Sequence, residues 1–312
     1  MTKHVVVLGA GAMGSLFGGL LAEGGLKVTL IDPWQEHIEA INANGLKIVG
    51  FGGDRHIPIG ATTNAADVTE ADLVFVQCKA NFNADAAASI RHLFENPSST
   101  VAISFQNGLG NEEQLAEYFG EDNVLGGLTA QGANIEEAGV VRNHAELPSY
   151  IGEMGGGVSD RVKSIAELLS AAGLPTSPSE DIRLDIWRKL MANIAISAVS
   201  GITGLNIGQI FNEHLADVVS YAALEEAIVV ANASGVELSI EEAHEILGKI
   251  AGPNGTPGNK SSLRVDIENC RPSEIDYING AVVALGHKHG IAVLVNETLV
   301  QLVHGRQARY LN

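Results

Sequence analysis

Apolar runs of strand length, HVVVLGA, KVTLID, LKIVG, DLVFVQC, TVAISFQNG, VLGGLTAQGANI and PSYIGE, punctuate the chain from residue 4 to about residue 175. Between them apolar positions recur at helical spacing, and this alternation predicts a mostly parallel sheet flanked by helices. Pro, Ser and Gly then cluster in AAGLPTSPSEDI (171–182), and beyond it the pattern turns almost wholly helical, as in LADVVSYAALEEAIVVANASG. The pattern predicts an α/β domain over residues 1–178 and an all-α domain over 179–312. The charge-free stretch LMANIAISAVSGITGL (190–205) is shorter than the ~20 residues a bilayer needs and is broken by Asn, Ser, Thr and Gly. It reads as a buried helix. GGG at 155–157 reads as a turn or hairpin within the first domain.

Composition narrows the function classes. With 312 residues, of which 46% are hydrophobic, the chain is long enough for two cores and unlike a disordered one. Its 19 Lys and Arg face 37 Asp and Glu, a formal charge of −18, which argues against a grip on nucleic-acid phosphates. No membrane role is indicated. The start MTKH runs directly into VVVLGAG without a cleavable signal pattern, and there are only two cysteines, Cys78 and Cys270; a cytoplasmic location is expected.

The densest signal is GAGAMG. Gly9, Gly11 and Gly14, with Ala10, Ala12 and Met13 between them, directly follow the strand VVVL and open the helical pattern SLFGGLLAEGG. A second strand, KVTLI, ends at Asp32, eighteen residues after Gly14. Strand, tight turn, helix, strand and acid form the context of a dinucleotide-binding Rossmann unit. Gly9 permits the turn, Gly11 lets a pyrophosphate approach, Gly14 lets helix and strand touch, and the helix N-terminus offers bare N–H donors. Asp32 suits the two adenosine ribose hydroxyls and repels a 2′-phosphate, and the following Pro33, Trp34, Gln35 and Glu36 offer no cation; NADH is favoured over NADPH. The alternative for Asp32 is a helix N-cap before PWQEHIEAI.

In the helical half, DIWRKLMANIAIS places Lys189, Asn193 and Ser197 at four-residue spacing on one helix face. A cation inside an apolar helix needs a partner or a task, and beside a 2-oxo acid an ammonium can stabilise the oxygen's developing charge and donate its proton. A surface lysine beside Trp187 and Arg188 is the alternative. Further on, NKSSLRVDIENCRPSEIDYINGAVV (259–283) adds Ser262, Glu274 and Asn279.

Taken together, GAGAMG, VQCKA, SFQNGLGN, WRKLMAN and SEIDYINGAVV…HGIAVLVNETL make the chain resemble the ketopantoate reductase (2-dehydropantoate 2-reductase) family over essentially its whole length. The resemblance implies that Lys189 is the proton donor, that Asn193 helps hold the substrate, and that Ser262 lies near the substrate carboxylate. It implies that Glu274 orients the lysine and approaches the nicotinamide ribose, and that Asn107 and Lys79 face the cofactor at strand ends of the first domain. Ser197 stands where the family often has a second Asn contacting the substrate. Asp32 departs from the basic group of NADPH-preferring members and matches the branch with NAD-dependent D-2-hydroxyacid (mandelate-type) dehydrogenases.

The expected reaction is thus NAD(P)H-dependent reduction of a 2-oxo acid, ketopantoate to D-pantoate first and another branched or aromatic 2-oxo acid second, in a cleft between the domains. A non-catalytic dinucleotide sensor would have no use for Lys189 with Glu274. No metal is expected, since no HxxxH or CxxC spacing occurs. Cys78 reads as a small apolar strand residue, His287 and His289 as a helix C-terminus before Gly290, and Glu225 with Glu226 as a solvated helix face. The oligomeric state is left open by the sequence, although the helical domain could supply a homodimer interface.

Overall fold

The structure is a computed structural model, described over residues 3–95 and 100–311. The chain divides into two compact units, Met1–Gln106 with Asn111–Arg183, and Asn107–Gly110 with Leu184–Asn312. The strands, all in the first unit, are β1 (His4–Leu8), β2 (Lys27–Ile31), β3 (Leu46–Gly50), β4 (Arg55–Ile57), β5 (Gly60–Thr62), β6 (Leu73–Val76), β7 (Val101–Ser104), β8 (Val124–Thr129), β9 (Ala133–Glu137), β10 (Val140–Asn143), β11 (Ser149–Glu153) and β12 (Thr176–Pro178). Eight of them form one sheet in the order β12-β11-β8-β7-β6-β1-β2-β5. From β8 to β5 every neighbour is parallel, while β11 runs antiparallel to β8 and carries β12 parallel to itself.

The remaining four strands correct the expectation of a single sheet. LKIVG is β3 of a separate sheet, ordered β4-β3-β10-β9, and the run VLGGLTAQGANI divides between β8 of the large sheet and β9 of the small one. The small sheet joins residues 46–50 to residues 140–143 in parallel, a pairing across some ninety positions that an apolar run cannot announce.

Why VVVL carries no polar alternation is clear from its surroundings. Val5 and Val7 face one apolar layer with Phe17, Leu30 and Phe75; Val6 and Leu8 face the other with Val74, Val76 and Leu115. A central parallel strand buried on both faces reads as continuous hydrophobicity. The helices of this unit are α1 (Ala12–Glu23), α2 (Gln35–Asn44), α3 (Asn83–Ile90), α4 (Asn111–Phe119) and α5 (Asp160–Ala171). Helix α1 lies between the two sheets. A Cβ on Gly18 would stand 2.5 Å from Leu30 Cδ2 of the large sheet, and one on Gly19 would stand 2.8 Å from Ile48 Cδ1 of the small one.

One buried carboxyl sits at the start of α4. Glu112 is 4% exposed, and burial raises its carboxyl to about 7; nearby Glu113 adds to the rise, while its own backbone N–H and the Ser104 hydroxyl oppose it. The native chain therefore keeps a proton that the unfolded chain releases above its ordinary value of 4.5, and stability falls as pH rises from there to about 7. Glu112→Gln is expected to gain up to about 3 kcal/mol over the parent protein at pH values above that window and almost nothing below it. Urea denaturation of both proteins on either side of the window checks this; an equal gain at both ends would exclude titration of Glu112 as the cause.

The second unit is all-α: α6 (Ile182–Thr203, whose first two residues count with the first unit), α7 (Ile207–Phe211), α8 (Asp217–Ala233), α9 (Ile240–Ala251), α10 (Ser262–Glu268), α11 (Asn279–His289) and α12 (Leu294–Gln307). The stretch 190–205 is, as expected, mostly one buried helix: Leu190, Met191, Ile194, Ala195, Ala198 and Val199 of α6 all enter the core. His287 and His289 end α11 before Gly290, which takes the left-handed conformation (φ 69°). Glu225 is exposed, but Glu226 is a correction: its carboxylate accepts the backbone N–H groups of Val295 and Asn296 at 2.9 and 3.0 Å and caps the start of α12. Asn279 is structural too, its amide tying Ile194 O and Asn296 Oδ1 together.

Candidate functional site

In the first unit the turn from β1 into α1 is fixed by backbone contact. Gly9 has φ +102°, and a Cβ there would meet the Cys78 nitrogen at 2.4 Å; a Cβ on Gly14 would meet Gly9 O at 1.9 Å. Gly11 is different, with no atom within 4 Å of its would-be Cβ, so it faces open space at the N-cap of α1. The first turn of α1, Ala12 and Met13 included, carries no acid and no capping side chain. Its N–H donors and dipole thus stay available to an anion.

Asp32, one residue past β2, is half-buried. One carboxylate oxygen accepts Ala10 N–H at 2.7 Å and the other accepts Trp34 N–H at 2.9 Å. Trp34, not Asp32, is the N-cap of α2, so the capping alternative is corrected. Each Asp32 oxygen keeps a lone pair for a further donor.

A cleft of about 740 Å³ runs along this edge, lined by Gly9, Gly11, Asp32, Asn64, Lys79 and Phe82 among others. That volume suits a small-molecule site. Donors at the helix start, an acid for paired hydroxyls and a cation in Lys79 fit a dinucleotide. Lys79 caps a short 3₁₀ turn, Ala80–Phe82, just past β6. Cys78 lies two residues beyond β6 rather than in it, packs on the apolar layer, and directs Sγ to Asn83 Oδ1 at 3.5 Å. Beneath that turn, Gln106 Nε2 donates to Cys78 O at 2.7 Å and to Asn83 Oδ1 at 2.6 Å, and Asn83 Nδ2 donates to Asn111 Oδ1 at 3.0 Å. These buried amides hold the strand ends, and scattered as they are in sequence they carried no signal.

In the second unit Lys189 Nζ donates to Asn107 Oδ1 at 3.0 Å. Asn107 counts with this unit, where its neighbour Leu109 donates its N–H to Tyr277 O and packs on the helical core. Burial lowers the Lys189 ammonium to about 8, and the negative charge of Glu274 partly offsets that fall. Glu274 stands at the N-cap of the 3₁₀ turn Ile275–Tyr277. Asn193 is half-buried one turn beyond Lys189. Ser197 is 2% exposed, and its carbonyl accepts the Ser261 hydroxyl at 3.4 Å. Ser262 is the exposed first residue of α10, whereas the buried Ser261 caps that helix by accepting Arg264 N–H. The structure thus brings Lys189, Asn107 and the charge of Glu274 together and keeps the side chain of Ser262 at the surface.

Comparisons with known proteins place the chain in a family. A family model for ketopantoate reductase PanE/ApbA matches residues 5–156, and one for its C-terminal part matches residues 181–307. The chain belongs to the ketopantoate reductase family. The 2-dehydropantoate 2-reductase of Halobacterium salinarum is 34% identical over 304 residues, 96% of this chain and 97% of that one. The crystal structure of a PanE/ApbA family ketopantoate reductase from Ralstonia eutropha JMP134 matches with TM-score 0.90 and 30% identity over 99% of this chain and 100% of that one. A D-mandelate dehydrogenase solved with NADH and anilino(oxo)acetate matches with TM-score 0.92 and 27% identity, covering 98% and 99% of the two chains. Both α/β and helical parts of this chain thus have counterparts in family members. Among the described residues no helix is long and apolar enough to cross a membrane, and no group of three or more His, Cys, Asp or Glu side chains is placed to hold a metal ion.

Proposed function

We propose that this chain reduces a 2-oxo acid to the D-2-hydroxy acid with a nicotinamide dinucleotide, and that 2-dehydropantoate is its substrate. The observation that carries the reading is Lys189: a half-buried side chain whose ammonium is lowered by desolvation to about 8, hydrogen-bonded to Asn107 and flanked by the charge of Glu274. The relatives named 2-dehydropantoate 2-reductase support the substrate. A reduced nicotinamide, when bound, supplies the hydride for the carbonyl carbon. Lys189 then acts on the oxygen: its N–H stabilises the charge that develops there and its proton completes the alcohol. Asn107 holds Nζ in place, Glu274 keeps it protonated, and Asn193 and Ser197 continue the same helix face toward the substrate, with Ser262 nearer its carboxylate. Gly9 to Gly14, Asp32 and Lys79 hold the dinucleotide.

NADH is the preferred form. A 2′-phosphate beside the Asp32 carboxylate would face a repulsion of about 4 kcal/mol for unit charges 4 Å apart near a protein surface, against two hydroxyls that it can accept. The expected kcat/KM with NADH exceeds that with NADPH by at least about tenfold, and Asp32→Asn narrows the ratio. A D-mandelate dehydrogenase solved with NADH is among the structural neighbours, and this supports a second reading, an NAD-dependent D-2-hydroxyacid dehydrogenase of the mandelate type. Assaying ketopantoate, 2-oxoisovalerate and benzoylformate against both reduced cofactors separates the two, and no turnover on any pair would defeat both. The reading is compatible with a cytoplasmic enzyme, as two free cysteines suit, and with a homodimer formed through the helical unit.

A further inference from the structure

A chain of buried hydrogen bonds leads from the small sheet to the dinucleotide turn. His37, in α2, is fully buried, and Trp34 stacks on its ring at a centroid distance of 4.8 Å and an interplanar angle of 11°. Gly139, in the turn between β9 and β10, donates its N–H to His37 Nδ1 at 2.9 Å. That donation fixes Nδ1 as the acceptor and leaves the ring's proton on Nε2. Nε2 lies 3.0 Å from Ser15 Oγ, and the Ser15 hydroxyl itself donates to Ala10 O at 2.8 Å. The only consistent polarity is therefore Gly139 N–H to Nδ1, Nε2–H to Ser15, and Ser15 O–H to Ala10. The preceding peptide, Gly9–Ala10, is held by Asp32, which accepts the Ala10 N–H, so both peptides flanking the Ala10 Cα are fixed.

We propose that Ser15 and His37 are positioning residues for the dinucleotide: acting through Ala10, they set the Gly9–Gly11 turn, and so the N–H donors after it, at the place a pyrophosphate occupies. The inference rests on the dinucleotide reading of this turn. Burial lowers the imidazole's affinity for a proton, with the Asp32 charge opposing, and this suits a neutral ring in the chain. Neither side chain is needed to touch the ligand. The tie also gives the small sheet a role, because Gly139 O in turn accepts the N–H of Lys47 in β3.

Two experiments test this. In the protein without cofactor, nitrogen-15 NMR of the imidazole is expected to show the neutral form with its proton on Nε2 at neutral pH; a proton on Nδ1 overturns the chain. NADH dissociation constants are then measured by fluorescence titration for the parent, S15A, H37N, H37Q and the S15A/H37N double variant, with melting temperatures alongside. S15A and H37N are expected to weaken NADH binding by roughly tenfold, the effect of leaving one buried polar partner unmet, while kcat at saturating NADH stays within about twofold. H37Q, whose amide nitrogen can stand at the Nε2 position, is expected to recover most of the affinity, and the double variant to lose no more than either single one. S15A is the conservative member, so the test stands if H37N does not fold. If the parent binds NADH and S15A binds it equally well, the positioning role fails. Failure of the parent to bind NADH would instead defeat the dinucleotide reading itself.

Discussion

Lys189→Ala is expected to lower kcat for 2-oxo acid reduction by roughly 10²–10⁴-fold, the usual range for loss of a positioned general acid, while NADH binds almost as before. The pH profile gives the same residue a second signature. Reduction needs the ammonium, so with a value of about 8 the parent's rate should be flat below that pH and fall above it. In the direction of oxidation the limb reverses, because the neutral amine must receive the proton. Glu274→Gln removes the charge that raises Lys189, and is expected to move the limb to lower pH. Steady-state kinetics across pH for the parent and both variants check all three statements. A Lys189→Ala variant with the parent's turnover would remove the lysine from the reaction.

The second large effect concerns the glycine turn. In Gly14→Ala the new Cβ would lie 1.9 Å from Gly9 O and 3.1 Å from Val7 Cγ1, so α1 must lift off β1. Overpacking of this kind costs about 1–3 kcal/mol, and here the displaced atom is backbone of the turn itself. The expected outcome is a lower melting temperature together with a loss of NADH affinity of about a hundredfold. Gly11→Ala is the companion variant. No atom lies within 4 Å of its Cβ position, so stability should be unchanged while NADH binding still weakens, because the methyl would occupy the approach of the pyrophosphate. Calorimetry and fluorescence titration on both proteins separate the two effects; equal melting losses would refute the assignment of different tasks to the two glycines.

How far the sequence could be read depended on the range of each interaction. The β1, α1, β2 unit was legible because strand, turn and helix signals lie within thirty residues and obey local rules. So was the helical half, whose period needs no partner to be seen. The small sheet was not, since β3 and β10 find each other only through register, and residues 46–50 carry the same apolar pattern whichever sheet they join. Asn107 illustrates the same limit at the site. The resemblance set it at a strand end facing the cofactor, but nothing local announced that its amide also accepts from a lysine 82 residues away. His37 and Ser15 gave no warning because a lone histidine on a helix usually means nothing. Ser262 was singled out through resemblance, while nothing in the sequence announced that its neighbour Ser261 is buried and caps α10.

Helix α1 carries Gly14, Gly18 and Gly19 within twelve residues, and each glycine weakens a helix by about 1 kcal/mol relative to alanine. Cut from its surroundings, that segment would not hold a helical shape in water. What makes it a helix is pressure from both sides, one sheet against Gly18 and the other against Gly19. The open N–H donors at its tip are consequently a tertiary product rather than a local one: without the two sheets packed around α1 there is no helix end to present them.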